Sequence, residues 1–135
     1  MSTELIERTD EYTIELDEQQ NVPIFTYNTF VSGEELRDIA RTWADFIASE
    51  GADQYVVNTE SISAHDDADK RWLAETWIPT LIEQGVRHGA GVYADSAIAS
   101  MDMEEIEDQL NAIDPDFEYR TFGSDADALE WLAAQ

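Results

Sequence analysis

From residue 11 onward the chain alternates between two hydrophobic periods, and this alternation restricts its fold more than any other feature. "EYTIEL" (11–16) places Tyr12, Ile14 and Leu16 on one face, the pattern of a half-buried strand. "DEQQN" (17–21) is a polar connector to a second strand, "VPIFTY" (22–27). Pro23 has no N–H for a ladder, so it belongs at an edge or at the strand's start. The two strands read as an antiparallel hairpin with a five-residue loop. The period then changes to helical. Ser32 and Glu35 in "SGEE" have capping-box spacing. Leu36, Ile39, Ala40, Trp43, Phe46 and Ile47 form one apolar stripe, and Gly51 suits the stop.

The same alternation continues to the end. "QYVV" (54–57) reads as a strand buried on both faces. A helix over 66–84 follows, stopped by Gly85, with Leu73, Trp77 and Leu81 inward; Pro79 predicts a kink near 75–77. "GAGVYA" (89–94) is the next strand, and 102–112 the next helix, with Met103, Ile106, Leu110 and Ile113 inward. "EYRTF" (118–122) is the last strand and 124–134 the last helix, capped by Ser124. The order ββαβαβαβα predicts an α/β fold: one mixed, mostly parallel sheet with an N-terminal antiparallel hairpin and helices packed on it through right-handed crossovers. A single domain over 1–135 is expected, with residues 1–9 loose.

Composition narrows the function. With 43% apolar residues the 135-residue chain can bury a core despite its charge. No apolar run approaches the ~18 residues of a membrane span. The acidic start "MSTELIERTDEY" lacks the basic and apolar regions of a signal peptide, so a cytoplasmic location is expected. Without cysteine there is no disulfide, thiol nucleophile or zinc–thiolate site. Asp plus Glu number 31 against 7 Lys plus Arg, a net charge of −24, and Lys70 is the single lysine. Nucleic acid and anionic membranes are therefore poor partners. The acids are spread along the whole chain. That distribution reads as a halophilic surface suited to near-molar salt, where the Debye length is about 3 Å, in preference to a discrete acidic face.

"NTESISAHDDADKRW" (58–72) is the stretch richest in chemical groups. Ser61 or Ser63 beside His65 suggests nucleophilic catalysis. No Gly-x-Ser-x-Gly elbow accompanies them, and hydroxyls after a strand usually serve as caps and turns. His65, Asp66, Asp67 and Asp69 offer hard metal ligands. They lack the spacing of known ligand motifs, and acids in a first turn complement the helix dipole. The expectation is no metal and no cofactor. Gly89 and Gly91 are too few for a phosphate loop. His88 reads as structural or surface, and the acid pairs Glu104–Glu105 and Asp114–Asp116 as solvated faces. Trp43, Trp72, Trp77 and Trp131 lie on or near apolar stripes. Trp43, Trp72 and Trp77 are also candidates to line an apolar pocket.

Two stretches carry a family resemblance over about residues 10–134. One is "VVNTESIS" entering a helix that ends "WIPTLIEQGVRHGAGVYA"; the other is the closing "EYRTFGSDADALEWL". With the element order, they make the chain similar to STAS-like domains. These are relatives of the bacterial anti-sigma-factor antagonists and include small stand-alone proteins of unknown role grouped with lipid-transfer-like folds. Antagonists carry Asp-Ser-Ser-Gly at the start of the helix after the central strand, and its first serine is phosphorylated by a partner kinase. Laid on this chain without gaps, the motif falls on Asp66, Asp67, Ala68 and Asp69. Asp66 is retained, and Asp67 occupies the phosphoacceptor position. An alignment shifted by a few residues moves that position to Ser63 or Ser61. The resemblance implies a non-enzymatic binding or regulatory module for a protein partner or small apolar ligand, as monomer or homodimer. The alternative is a small metal-dependent or serine hydrolase built on His65, Asp66, Asp67 and Asp69.

Overall fold

The computed structural model describes residues 3–62, 65–93 and 96–135. Six strands form one sheet: β1 (Thr3–Arg8), β2 (Tyr12–Asp17), β3 (Val22–Tyr27), β4 (Gln54–Asn58), β5 (His88–Val92) and β6 (Glu118–Phe122). Their spatial order is their sequence order. β1 to β3 pair antiparallel and β3 to β6 parallel. The helices are α1 (Gly33–Glu50), α2 (Asp67–Trp72), α3 (Ile78–Glu83), α4 (Ala97–Asn111) and α5 (Asp125–Ala133), with a π-turn, Leu73–Trp77, joining α2 to α3. The mixed α/β sheet with its N-terminal hairpin is the architecture that the alternating periods predict.

Strand order fixes where the helices lie. Successive right-handed crossovers between neighbouring parallel strands all place their helices on one face. α1, the α2–α3 rod and α4 accordingly bury Phe25, Tyr27, Tyr55, Val57 and Tyr119 of the sheet. α5, which follows the last strand, turns back beneath the opposite face and covers Val22, Ile24, Val56, Ala90 and Val92.

Several elements differ from the sequence reading. Residues 3–8, expected to be loose, form the edge strand β1 and raise the strand count from five to six. All six of its residues are exposed, so no buried face writes an alternation into the sequence. A bulge at Ile6 shifts its register and breaks the period further. The β2–β3 loop is 18–21, closed by Asn21 at φ 58, a left-handed value that Asn tolerates. Pro23 sits at the start of β3, ahead of the parallel ladder that begins at Ile24. α4 begins at Ala97, not residue 102. Ser96 caps it by accepting from the Ala99 N–H at 3.1 Å, and its first turn leaves Ile98 and Met101 facing outward, which hides the helical stripe.

Pro79 does mark an irregularity. It cannot donate to the carbonyl of Glu75, and its ring crowds that carbonyl. The helix answers by widening into the π-turn one residue before Ile78. Trp77, at the end of the π-turn, points inward, and its Nε1–H donates to Ala40 O of α1 at 2.6 Å.

Candidate functional site

The site is built where β4 leaves the sheet and the chain enters α2. Thr59 follows β4 directly and is buried; its Oγ1 donates to Val92 O at 2.8 Å, tying the exit to the end of β5. Ile62 is buried behind it, and its N–H donates to Thr59 O at 2.9 Å. Ser61 is exposed on this turn. Ser63 lies outside the described residues.

His65 and the three aspartates do not converge. Asp66 is the N-cap of α2 but makes no side-chain cap bond, and Asp67 opens the helix; both are exposed. Asp69, one turn on, is 1% exposed and faces α1. Its Oδ2 accepts from the Gly33 N–H at 3.0 Å, and its Oδ1 lies 3.5 Å from Arg37 Nη2. The capping box expected from Ser32 and Glu35 is therefore corrected: Ser32 makes no cap bond, and α1 is capped from another helix. A buried carboxylate at a helix N-terminus suits the dipole and satisfies one of its free N–H groups.

His65 faces the other way, towards α4. Its Nδ1 and its backbone N–H both donate to Asp102 Oδ2, at 2.7 and 3.1 Å. An ionised carboxylate only accepts, so the Nδ1 proton lies in that bond and a neutral ring keeps Nε2 free to accept. Lys70 completes the group, with Nζ 2.8 Å from Asp102 Oδ1 and 3.2 Å from Glu105 Oε2. The side chains of His65, Lys70 and Asp102 are all under 10% exposed. Burial alone would raise the Asp102 pKa, but bonds from His65 and Lys70 hold it below the usual carboxylate range. Burial works against the charge of Lys70 too, and Asp102 with Glu105 still pushes its pKa above the ordinary value. Residues 65–70 are thus fastened on two sides, by Asp69 to α1 and by His65 and Lys70 to α4.

Asp102 and Lys70 are the members of this buried group that motif reasoning misses. A signal existed for each: Lys70 is the one lysine of a lysine-poor chain, and Asp102 precedes Met103 and stands four residues before Ile106 on the inward stripe of α4. A second polar cluster lies at the opposite face. Asn58 Nδ2 donates to Glu60 Oε1 at 2.8 Å and to Asp125 Oδ1 at 3.0 Å. Burial raises the Asp125 pKa; the Asn58 bond opposes this and the Glu60 charge adds to it.

The tryptophans divide. Trp43 is fully buried and stacks on Phe25 with centroids 4.9 Å apart. Trp43 and Trp77 wall a small interior cavity of about 30 Å³ beneath His65. Trp72 does not reach it. Trp72 is half-buried at the margin of the core where α2 meets α1, with the guanidinium groups of Arg37 and Arg41 5.9 and 5.4 Å from its ring centre. Gly89 and Gly91 serve packing. A Cβ at Gly89 would strike the Tyr55 ring, and one at Gly91 the Tyr119 hydroxyl. His88 is half-buried, edge-on to Trp131. Among the described residues no three His, Asp or Glu side chains gather as a metal site, and no helix is long and apolar enough to cross a membrane.

No family model matches the chain, and no curated protein does. A solved structure does. It is an uncharacterised protein of the DUF3478 family from Shewanella loihica PV-4 with a SpoIIAA-like fold. The two share 13% identity and a TM-score of 0.56 over 98% of this chain and 96% of that one. The fold is therefore SpoIIAA-like, the STAS-like class that the element order and the two quoted stretches resemble.

Proposed function

We propose that this protein is a non-enzymatic, cytoplasmic STAS-like module that docks a protein partner at the carboxyl end of its parallel strands, without serine phosphorylation at the start of α2. The observation that carries the reading is the packed interior. The space between sheet and helices is about 30 Å³, whereas sites for small molecules run to roughly 300–1,000 Å³. That favours surface recognition over carriage of a lipid or another apolar ligand.

The same end of the sheet offers the means. Phe30 follows β3, and Ile98 and Met101 follow β5; they are 54, 69 and 70% exposed. Exposed apolar side chains beside polar ones are typical of interaction surfaces. Asp66 and Asp67 stand exposed between them in sequence. At Asp67 a carboxylate gives about half the charge of a phosphoserine and gives it permanently. The hydrolase reading is weakened because His65 and Asp69 turn to different helices.

Native mass spectrometry after purification in high salt tests this. A stoichiometric protein partner is expected on the wild type and is lost in Met101→Glu and Ile98→Glu proteins that melt normally. Co-purification of a small apolar ligand alone, or a hydrolytic turnover abolished by His65→Ala, overturns the reading. A phosphate mapped to Ser61 or Ser63 overturns its unswitched part.

A further inference from the structure

The cavity beneath His65 has polar walls that core packing does not require. Tyr27, Tyr55 and Tyr119, on β3, β4 and β6, all line it, together with Thr59, His65 and Trp43, whose Nε1 lacks a partner among the described residues. All three tyrosines are buried. The Tyr55 hydroxyl has no hydrogen-bond partner among the described residues. Phenylalanine would fill the same volume without burying a hydroxyl. Two glycines are also spent on the arrangement, since side chains at Gly89 and Gly91 would collide with Tyr55 and Tyr119. Burial first, and then the mutual proximity of the rings, raises the pKa of each of Tyr27 and Tyr55; burial and Glu107 do so for Tyr119. The phenols therefore remain protonated, each able to donate and to accept.

A buried hydroxyl left unpaired is unfavourable, and native interiors rarely contain one. The cavity of about 30 Å³ exceeds the ~10–15 Å³ that a buried water needs on the same measure, and such a water seeks two to four polar partners. Dry cavities, by contrast, have purely apolar walls. We propose that this cavity is a binding site for a single ordered water, which accepts or donates at the Tyr55 hydroxyl and bridges it to the phenols of Tyr27 or Tyr119. The water lies between the sheet and the segment that carries His65, so it is a structural link from the sheet to the start of α2. This site is independent of any partner.

The Tyr55→Phe protein tests the site by the sign of its effect. It keeps the ring and removes only the hydroxyl, so folding is retained. If the water is bound there, deletion costs it a partner, and the melting temperature falls by about 4 °C. If the hydroxyl is unpaired, deletion leaves stability unchanged or raises it. A high-resolution crystal structure of the wild type is the second measurement. It should show a density peak about 3 Å from Tyr55 Oη and from at least one other phenol oxygen. An empty cavity, or a Tyr55→Phe protein as stable as the wild type or more so, overturns the proposal.

Discussion

The two layers that flank the sheet are built on different principles. Beneath the sheet, α5 closes its contact with Ala128, Leu129 and Leu132 against Val22, Ile24, Val56, Ala90 and Val92. Those contacts are aliphatic, with Phe122 and Trp131 at their margin and one polar tie, Asn58 to Asp125, at the start of α5. Above it, α1, the α2–α3 rod and α4 meet over an aromatic floor and are fastened by charges: Asp69 to the start of α1, and His65, Lys70 and Asp102 between α2 and α4. A greasy contact is tolerant of register, because hydrophobic burial is non-directional. A buried ionic contact is satisfied in one geometry and costly in others. The upper layer thus holds the start of α2 in a single position, as the docking surface we propose would require.

Substitutions should separate the two layers. The largest loss is expected from Asp102→Ala, which leaves His65 and Lys70 buried without their acceptor: about 3–5 kcal/mol by denaturant unfolding. That loss should depend on pH. The Asp102 pKa is lowered, so its contribution is complete above the unfolded carboxylate value near 4 and disappears as pH falls through the lower folded value. The Lys70 pKa is raised, so its contribution is complete below the unfolded value near 10.4 and disappears as pH rises through the higher folded value. Through these two groups the difference between wild type and variant should narrow at both extremes of pH. A difference that persists in strong acid would show the latch to be merely steric.

In the lower layer, Leu129→Ala should cost about 3 kcal/mol from lost burial and the cavity left behind. Its cost should hold steady from pH 5 to pH 9 and in low or high salt, in contrast to the latch. Next in size is Asp69→Ala, which uncaps α1 and leaves Arg37 with Glu34 alone. About 1–2 kcal/mol is expected, with faster amide exchange at the first turn of α1 and none at α5. The smallest effect belongs to Asp67→Ser. An exposed first-turn residue should change stability by no more than about 0.5 kcal/mol, so any change in partner capture by this variant reports recognition directly. A larger loss would mean that Asp67 is part of the latch after all.

The elements that could be read from the sequence are those with a hydrophobic period or, like β4 and β5, a short apolar run buried on both faces. β2 and α1 show clear periods because Ile14 and Leu16 alternate with the polar Thr13, Glu15 and Asp17, and Leu36, Ile39 and Trp43 alternate with solvent-facing residues. β1 could not be read that way, since both its faces are wet. The first turn of α4 was obscured because Ile98 and Met101 are apolar yet exposed. In the candidate site, the stretch 58–72 was legible as important but not as an arrangement. Four neighbouring polar residues suggested a cluster, whereas helical geometry sends Asp69 towards α1 and leaves Asp66 and Asp67 in solvent.

By itself the sequence determined the alternating α/β order, the hairpin, the stop at Gly51, the irregularity before Pro79 and the fixed charge at Asp67. All of these follow from local causes: hydrophobic period, left-handed backbone, a missing N–H, an unmodifiable side chain. Only the tertiary structure decided which acids are surface and which are structural. Asp102 stands 37 residues from His65 and Asp69 stands 36 from Gly33. Nothing in local spacing encodes those partners, because they meet only when the crossovers stack α1, α2 and α4 side by side on one face of the sheet.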